Sequence, residues 1–213
     1  MSYADLFQAS GDMRNAILSV ASLPPRYRGP LDIVINDLEI DVVARNVIFL
    51  LILFVEKDPA VAAEYVLHVW YSALITELCS RMLFDKLRPL VEEVCNKIAQ
   101  KPGPARFGKT WKFGESSLRL ILTRDNWYSL LSYFDVPQGL TKDTAQRVRQ
   151  RTVSTPERVD YLDRKLCHKS PSEQLGMTKF RKDGILLPFG HPREDFTIPN
   201  PCVCHPLLLF GCC

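Results

Sequence analysis

What this chain lacks narrows its range first. It has no long hydrophobic run: the longest, Val47–Val55, stops far short of the roughly 18 apolar residues that suggest a membrane span. Met1–Leu6 has neither the basic start nor the apolar stretch of a secretory signal. Without such a signal, the seven cysteines read as reduced thiols of a cytoplasmic protein. No internal repeat and no low-complexity tract is present. Neither sign of charge dominates: a net +3 over 213 residues is too small to argue for nucleic acid. No H-E-x-x-H motif, catalytic carboxylate pair or Ser-His-Asp order can be assembled. His68 lies on a helical pattern beside Trp70 and reads as a packed or surface residue. His168 and His191 lie in polar loops with no nucleophile partner. Membrane and nucleic-acid partners are therefore not expected.

What remains is an ordinary globular composition, 46% apolar and 24% charged, in a chain long enough to bury a sizeable core. Its organising stretch is residues 3–46. A short apolar run, Tyr3–Phe7, meets a turn at Gly11-Asp12. Next comes a helix-period segment to about Ser22, with Ala16, Ile17, Val20 and Ala21 on one face and Asp12 as its cap. Leu23-Pro24-Pro25 stops it. Leu31–Ile35 is β-branched, short and nearly continuous, the pattern of a buried parallel strand, and Asp37 falls just past its end. Strand, turn, helix, strand, acidic residue, helix is the opening half of a Rossmann-type α/β unit. The two strands are expected to be adjacent and parallel, joined by a right-handed crossover.

The helix from about Ile40 to Val55 is apolar on nearly all sides and should be sandwiched between layers. Asp58 and Pro59 are the cap and first position of the next helix. Its stripe is Ala62, Tyr65, Val66, Val69, Trp70, Ala73 and Leu74. A further stripe, Leu83 to Ile98, contains Pro89, where a kink or fresh start is expected. Residues 105–115 read as a loop of alternating basic and aromatic side chains. Ser116–Phe134 reads as an amphipathic helix, although Leu118–Thr123 taken alone fits a strand. Thr141 to about Leu166 is basic and helix-prone, with Arg147, Arg149, Arg151, Arg158 and Arg164 on what reads as a solvated surface. Gly184–Gly190 reads as a short strand beside the core.

Three constellations bear on chemistry. Gly11 and Asp12 with Asp37 have the layout of a Rossmann-type cofactor site, where a glycine lets the ligand approach and an acid bonds ribose hydroxyls. Gln8-Ala9-Ser10-Gly11 has one glycine where such sites have two or three, and Gly11 and Asp37 can equally serve the turn and the next helix alone. The Asp12 carboxylate repels phosphate and tolerates the sulfonium of S-adenosylmethionine. Second, Gly103–Thr110 matches the phosphate-loop pattern G-x-x-x-x-G-K-[ST]. It lacks the strand before and helix after that make the pattern work, so Lys109 is not expected to hold a nucleotide. Third, Cys202, Cys204, His205, Cys212 and Cys213 have poor spacing for zinc, and no metal is expected.

The blocks SGDMRNAIL, LDIVINDLEIDVVARNVIFLLIL and MTKFRKDGILLPFGHPREDFTIPNP resemble the domain of unknown function 4470. That domain also forms the N-terminal part of the dynein axonemal assembly factor three family, and it occurs in fungal proteins with MYND-type zinc fingers. The resemblance runs in blocks to about Pro201. It implies a Rossmann-type, methyltransferase-like fold, with Gly11, Asp12 and Arg14 as the first-turn motif and Asp37 as the acid after the second strand. Many relatives carry a glycine where this chain has Ala9. They also continue past the P-N-P block, where this chain ends in CVCHPLLLFGCC, which reads as a premature or out-of-frame terminus. The resulting expectation is one α/β domain over 1–201 with an incomplete Rossmann-like parallel sheet and a largely helical insertion at about 57–166. An irregular Cys-rich tail at 202–213 follows. Its expected role is a non-catalytic interaction or assembly module with a protein partner and no cofactor. The alternative is an S-adenosylmethionine-dependent methyltransferase, with Gly11, Asp12 and Asp37 binding the cofactor. A remote alternative is nucleotide binding through residues 103–110.

Overall fold

In the computed structural model, residues 3–8, 10–153, 163–164 and 166–202 are described. The chain opens with β1 (Tyr3–Gln8), α1 (Arg14–Ala21), β2 (Leu31–Asn36) and α2 (Ile40–Val55). The two strands are parallel, in register from Tyr3 opposite Leu31 to Gln8 opposite Asn36. No third strand joins them among the described residues. The chain is mixed α/β, and of the incomplete Rossmann-like sheet expected from the sequence the described residues show only this parallel pair. With no neighbours beyond that pair, β2 is not buried on both faces as expected. Its residues alternate between half-buried and exposed. Ile35 packs on the core while Val34 is 55% exposed.

The hub is α2. Ala44, Ile48, Phe49, Leu51 and Ile52 are fully buried, because an all-round apolar helix finds neighbours on several sides. Those neighbours are α3 (Pro59–Tyr71), a π-helical turn (Met82–Leu87) and α6 (Arg124–Ser132). The cap of α3 is as expected: Asp58 Oδ1 accepts from Ala60 N–H at 2.9 Å, with Pro59 in the first turn. Between α3 and the π turn lie β3 (Leu74–Thr76) and α4 (Glu77–Arg81). The helical stripe expected to run on to Leu74 thus ends with α3 at Tyr71, and Leu74 lies in a strand. The π turn runs directly into α5 (Arg88–Ile98), whose second residue is Pro89. Proline has no N–H to give the preceding turn, and the wider π turn is where the helix absorbs that.

Residues 105–115 are not a loop. Arg106–Phe113 is β4, paired antiparallel with β5 (Ser116–Thr123) through the Gly114-Glu115 turn. The helix expected over Ser116–Phe134 therefore begins only at Arg124, capped by Thr123 Oγ1 accepting from Asn126 N–H. The hairpin lies within the span read as a helical insertion. Its inner side chains Trp111 and Leu120 join the core, and Trp127 Nε1 donates to Phe107 O at 3.1 Å.

The last part comprises α7 (Lys142–Val153), α8 (Pro171–Asp183) and β6 (Phe196–Pro199). Gly184–Gly190 contains no strand; the strand that pairs antiparallel with β3 is β6. Arg149 is buried, its guanidinium 5.6 Å from the Phe180 ring centre, so the basic helix is not wholly a solvated surface. Asn200 closes this part onto the end of α3. Its Nδ2 lies 3.1, 3.0 and 2.8 Å from the carbonyls of His68, Val69 and Ser72 at the C-terminal end of α3, where His68 O also accepts from Ser72 N–H at 2.9 Å. Leu186 N–H donates to Ser72 Oγ at 3.0 Å, leaving the hydroxyl proton for His68 Nδ1 at the same distance. His68 is packed, as one of its two sequence readings had it. Cys202 is buried, while Arg158, Cys204, His205, Cys212 and Cys213 lie outside the described residues. No helix among the described residues is long and apolar enough to cross a membrane.

Candidate functional site: the turn between β1 and α1

The chain leaves β1 through Ser10, whose N–H donates to Asn36 O at 3.3 Å and extends the parallel ladder by one bond. Gly11 then takes φ +56°, a left-handed conformation that costs other residues energy. A Cβ there would meet nothing within 4 Å, so the backbone angle, not crowding, favours glycine.

Both polar backbone groups of Gly11 are bound by distant residues. Its N–H donates to Asp37 Oδ2 at 2.9 Å, and its carbonyl accepts from Asn46 Nδ2 at 2.9 Å. The second Asp37 oxygen accepts from Glu39 N–H at 3.1 Å, in the approach to α2. Gly11 and Asp37 therefore do come together, as the sequence reading requires, but both carboxylate oxygens are already bonded to main-chain N–H groups. Asp37 fastens the first turn to the start of α2.

Asp12 faces Arg14. Its Oδ1 accepts from Arg14 N–H at 2.9 Å, and its Oδ2 lies 2.5 Å from Arg14 Nη2. Burial pushes the Asp12 carboxyl up, but the bonds and charge of Arg14, with Arg45 adding, outweigh it and hold the pKa below its ordinary value. Asp12 thus serves the first turn of α1, one position ahead of the residue at the geometric cap, Met13.

Three residues of α2 complete the surroundings, and none was singled out from the sequence. Asp41, Arg45 and Asn46 are buried. Asp41 accepts a hydrogen bond from the hydroxyl of Tyr133, just past the end of α6. Burial first, then the bond and charge of Asp41, push the Tyr133 phenol well above its ordinary value, with Arg45 opposing. Asn46 Oδ1 and the Ser10 hydroxyl find no hydrogen-bond partner among the described residues. The signal for Arg45 and Asn46 was present as the Ala44-Arg45-Asn46 stretch inside the second quoted block. Tyr133 carried none, being 92 positions from its partner. Among the described residues no group of three or more His, Cys, Asp or Glu side chains could hold a metal ion.

The second constellation disperses. Gly108, Lys109 and Thr110 lie in mid-strand, paired with Ile121, Leu120 and Arg119. Lys109 Nζ is 3.5 Å from Glu93. A Cβ on Gly103 would lie 2.7 Å from Asp125 Oδ2, so a carboxylate stands where a phosphate cradle would need donors.

No curated protein and no solved structure matches this chain. A family model does: residues 3–75, from β1 into β3, match the one described as Domain of unknown function (DUF4470).

Proposed function

We propose that the β1–α1–β2 unit is a protein-interaction surface and not a catalyst. One observation carries the reading: the acid that would bond a ribose, Asp37, spends both oxygens on Gly11 N–H and Glu39 N–H. The surface beside it suits a protein partner. Leu6 and Val34 stand directly opposite each other on the open face of the pair, 57% and 55% exposed, and Leu38 is 94% exposed. On α1, Leu18 is 61% exposed beside a hollow of about 470 Å³ reaching Leu23 and Pro24. A two-stranded pair with bare edges is marginal alone and offers unpaired N–H and C=O groups to a partner. The resemblance to a dynein assembly factor points toward assembly work of this kind.

The test replaces Leu6 and Val34 together with glutamate, which should leave the fold intact because both are exposed. A protein bound by the wild type should be lost by the double variant. If every interaction of the wild type survives the double variant, the reading fails.

A second reading, an S-adenosylmethionine-dependent methyltransferase, draws on one observation: Asn46 Oδ1 and Ser10 Oγ are buried acceptors beside Gly11, with open space over its Cα. A cationic ligand is the kind those acceptors and Asp12 would favour.

A further inference from the structure

The β4–β5 hairpin presents a second surface, independent of the first. Its inner face is anchored: Trp111 meets Trp127 edge-on at 6.0 Å, and Leu120 joins the same core. Its outer face carries Arg106, Gly108, Thr110 and Lys112 from β4, with Ser117, Arg119 and Ile121 from β5, all exposed. Arg106, Lys112 and Arg119 are cations, and no acidic residue shares that face. None of the three is in an ion pair or side-chain hydrogen bond among the described residues.

The backbone adds a direction to this charge. Arg124 N–H donates to Ala105 O at 3.3 Å, so Arg106 and Thr123 are a non-hydrogen-bonded pair. In an antiparallel ladder such pairs alternate with bonded ones. The N–H and C=O groups of Arg106, Gly108, Thr110 and Lys112 therefore point away from β5, along the outer edge of β4. No other strand pairs with that edge among the described residues. Gly108 leaves the middle of the edge without a side chain. Arg106 and Lys112 stand about 20 Å apart at its ends, from the rise per residue of a strand, and Arg119 faces Thr110 between them.

We infer that this edge takes an extended acidic peptide segment, added as a third strand beside β4. The peptide's main chain bonds the open N–H and C=O groups, and its carboxylates, on alternate residues, meet Arg106, Arg119 and Lys112. Charge complementarity selects the acid; the strand edge selects an extended backbone. A single-stranded nucleic acid fits less well, since such sites stack bases on aromatic rings. Here Phe107, Trp111 and Phe113 all lie on the inner face.

The probe is a fluorescent peptide of alternating glutamate and threonine, long enough to run beside Arg106–Phe113, titrated with the whole chain at fixed salt. It should bind, and the variant Arg106→Glu/Lys112→Glu/Arg119→Glu should bind at least about tenfold more weakly, or about 1.4 kcal/mol. The three positions are exposed, so circular dichroism should not change. The same peptide with alternate amides N-methylated cannot form the ladder and should weaken equally, with the protein untouched. No binding, equal binding by the charge-reversed protein, or equal binding of the N-methylated peptide overturns the inference. So does tighter binding of a single-stranded oligonucleotide of equal length at the same salt.

Discussion

If Asp37 fastens the first turn, removing its carboxylate must cost stability with no ligand present. Asp37→Ala deletes the acceptors of Gly11 N–H, half-buried, and Glu39 N–H, exposed. A hydrogen bond to a charged acceptor contributes about 1.5–3 kcal/mol when water is partly excluded and less at the surface. The half-buried bond dominates, so the expected loss is about 2–3 kcal/mol. Asn46→Ala removes the other tie on Gly11, at its carbonyl. Two ties on one residue should not act independently, so the double variant should lose less than the sum of the two single losses. Urea denaturation followed by tryptophan fluorescence suits the measurement, because Trp70, Trp111 and Trp127 are all buried in the core. An Asp37→Ala midpoint indistinguishable from that of the wild type, or strict additivity with Asn46→Ala, would refute the fastening role.

Three further outcomes follow from the geometry. Asn200→Ala strips the side-chain donor from the Val69 and Ser72 carbonyls at the end of α3, the second donor from His68 O, which keeps Ser72 N–H, and the acceptor of Cys202 N–H. With only two amide hydrogens to share, the expected cost is about 3–5 kcal/mol, read in the same urea assay. His68 should make stability pH-dependent, because burial holds its pKa below the ordinary 6.5 and Glu64 only partly offsets this. The folded state then binds fewer protons than the unfolded chain, so His68's contribution is complete above about pH 6.5 and is lost as pH falls below it. His68→Gln should flatten that part of the melting-temperature profile; Asp12, also shifted downward, acts only in the acid range of carboxyls. Burial raises the thiol of Cys79 to about 12 and that of Cys95 to about 11, whereas Cys167 is exposed. Peptide mapping after brief alkylation of the native protein at neutral pH should therefore find Cys167 labelled well before Cys79 and Cys95.

The opening half of the chain was legible because its signals are local. The period changes from two to 3.6 on either side of Gly11, and Asp58-Pro59 is a cap that needs no tertiary knowledge. The β4–β5 hairpin was also written in the sequence. Arg106, Gly108, Thr110 and Lys112 alternate with Phe107, Lys109, Trp111 and Phe113, which is strand periodicity, and Gly114-Glu115 is the turn. Read as a basic and aromatic loop, the alternation lost its meaning. The β3–β6 pair could not be found this way, since three- and four-residue strands carry too few positions to show a period. At the site, the approach of Asp37 to Gly11 followed from the parallel register. Which group its oxygens would bond did not, because nothing local shows that the Gly11 N–H turns toward α2. The Asp41–Tyr133 contact depends on how α6 docks, and no spacing rule spans that distance.

The central claim is that the turn is fastened by its own side chains and holds no cofactor. Calorimetric titration of the whole chain with S-adenosylmethionine tests it most directly, run beside Asp37→Asn and its urea midpoint. The expected result is no heat of binding for either protein, and a lower midpoint for the variant. Micromolar binding by the wild type, lost in Asp37→Asn while the midpoint stays unchanged, would contradict the claim and make Asp37 a ligand-binding residue.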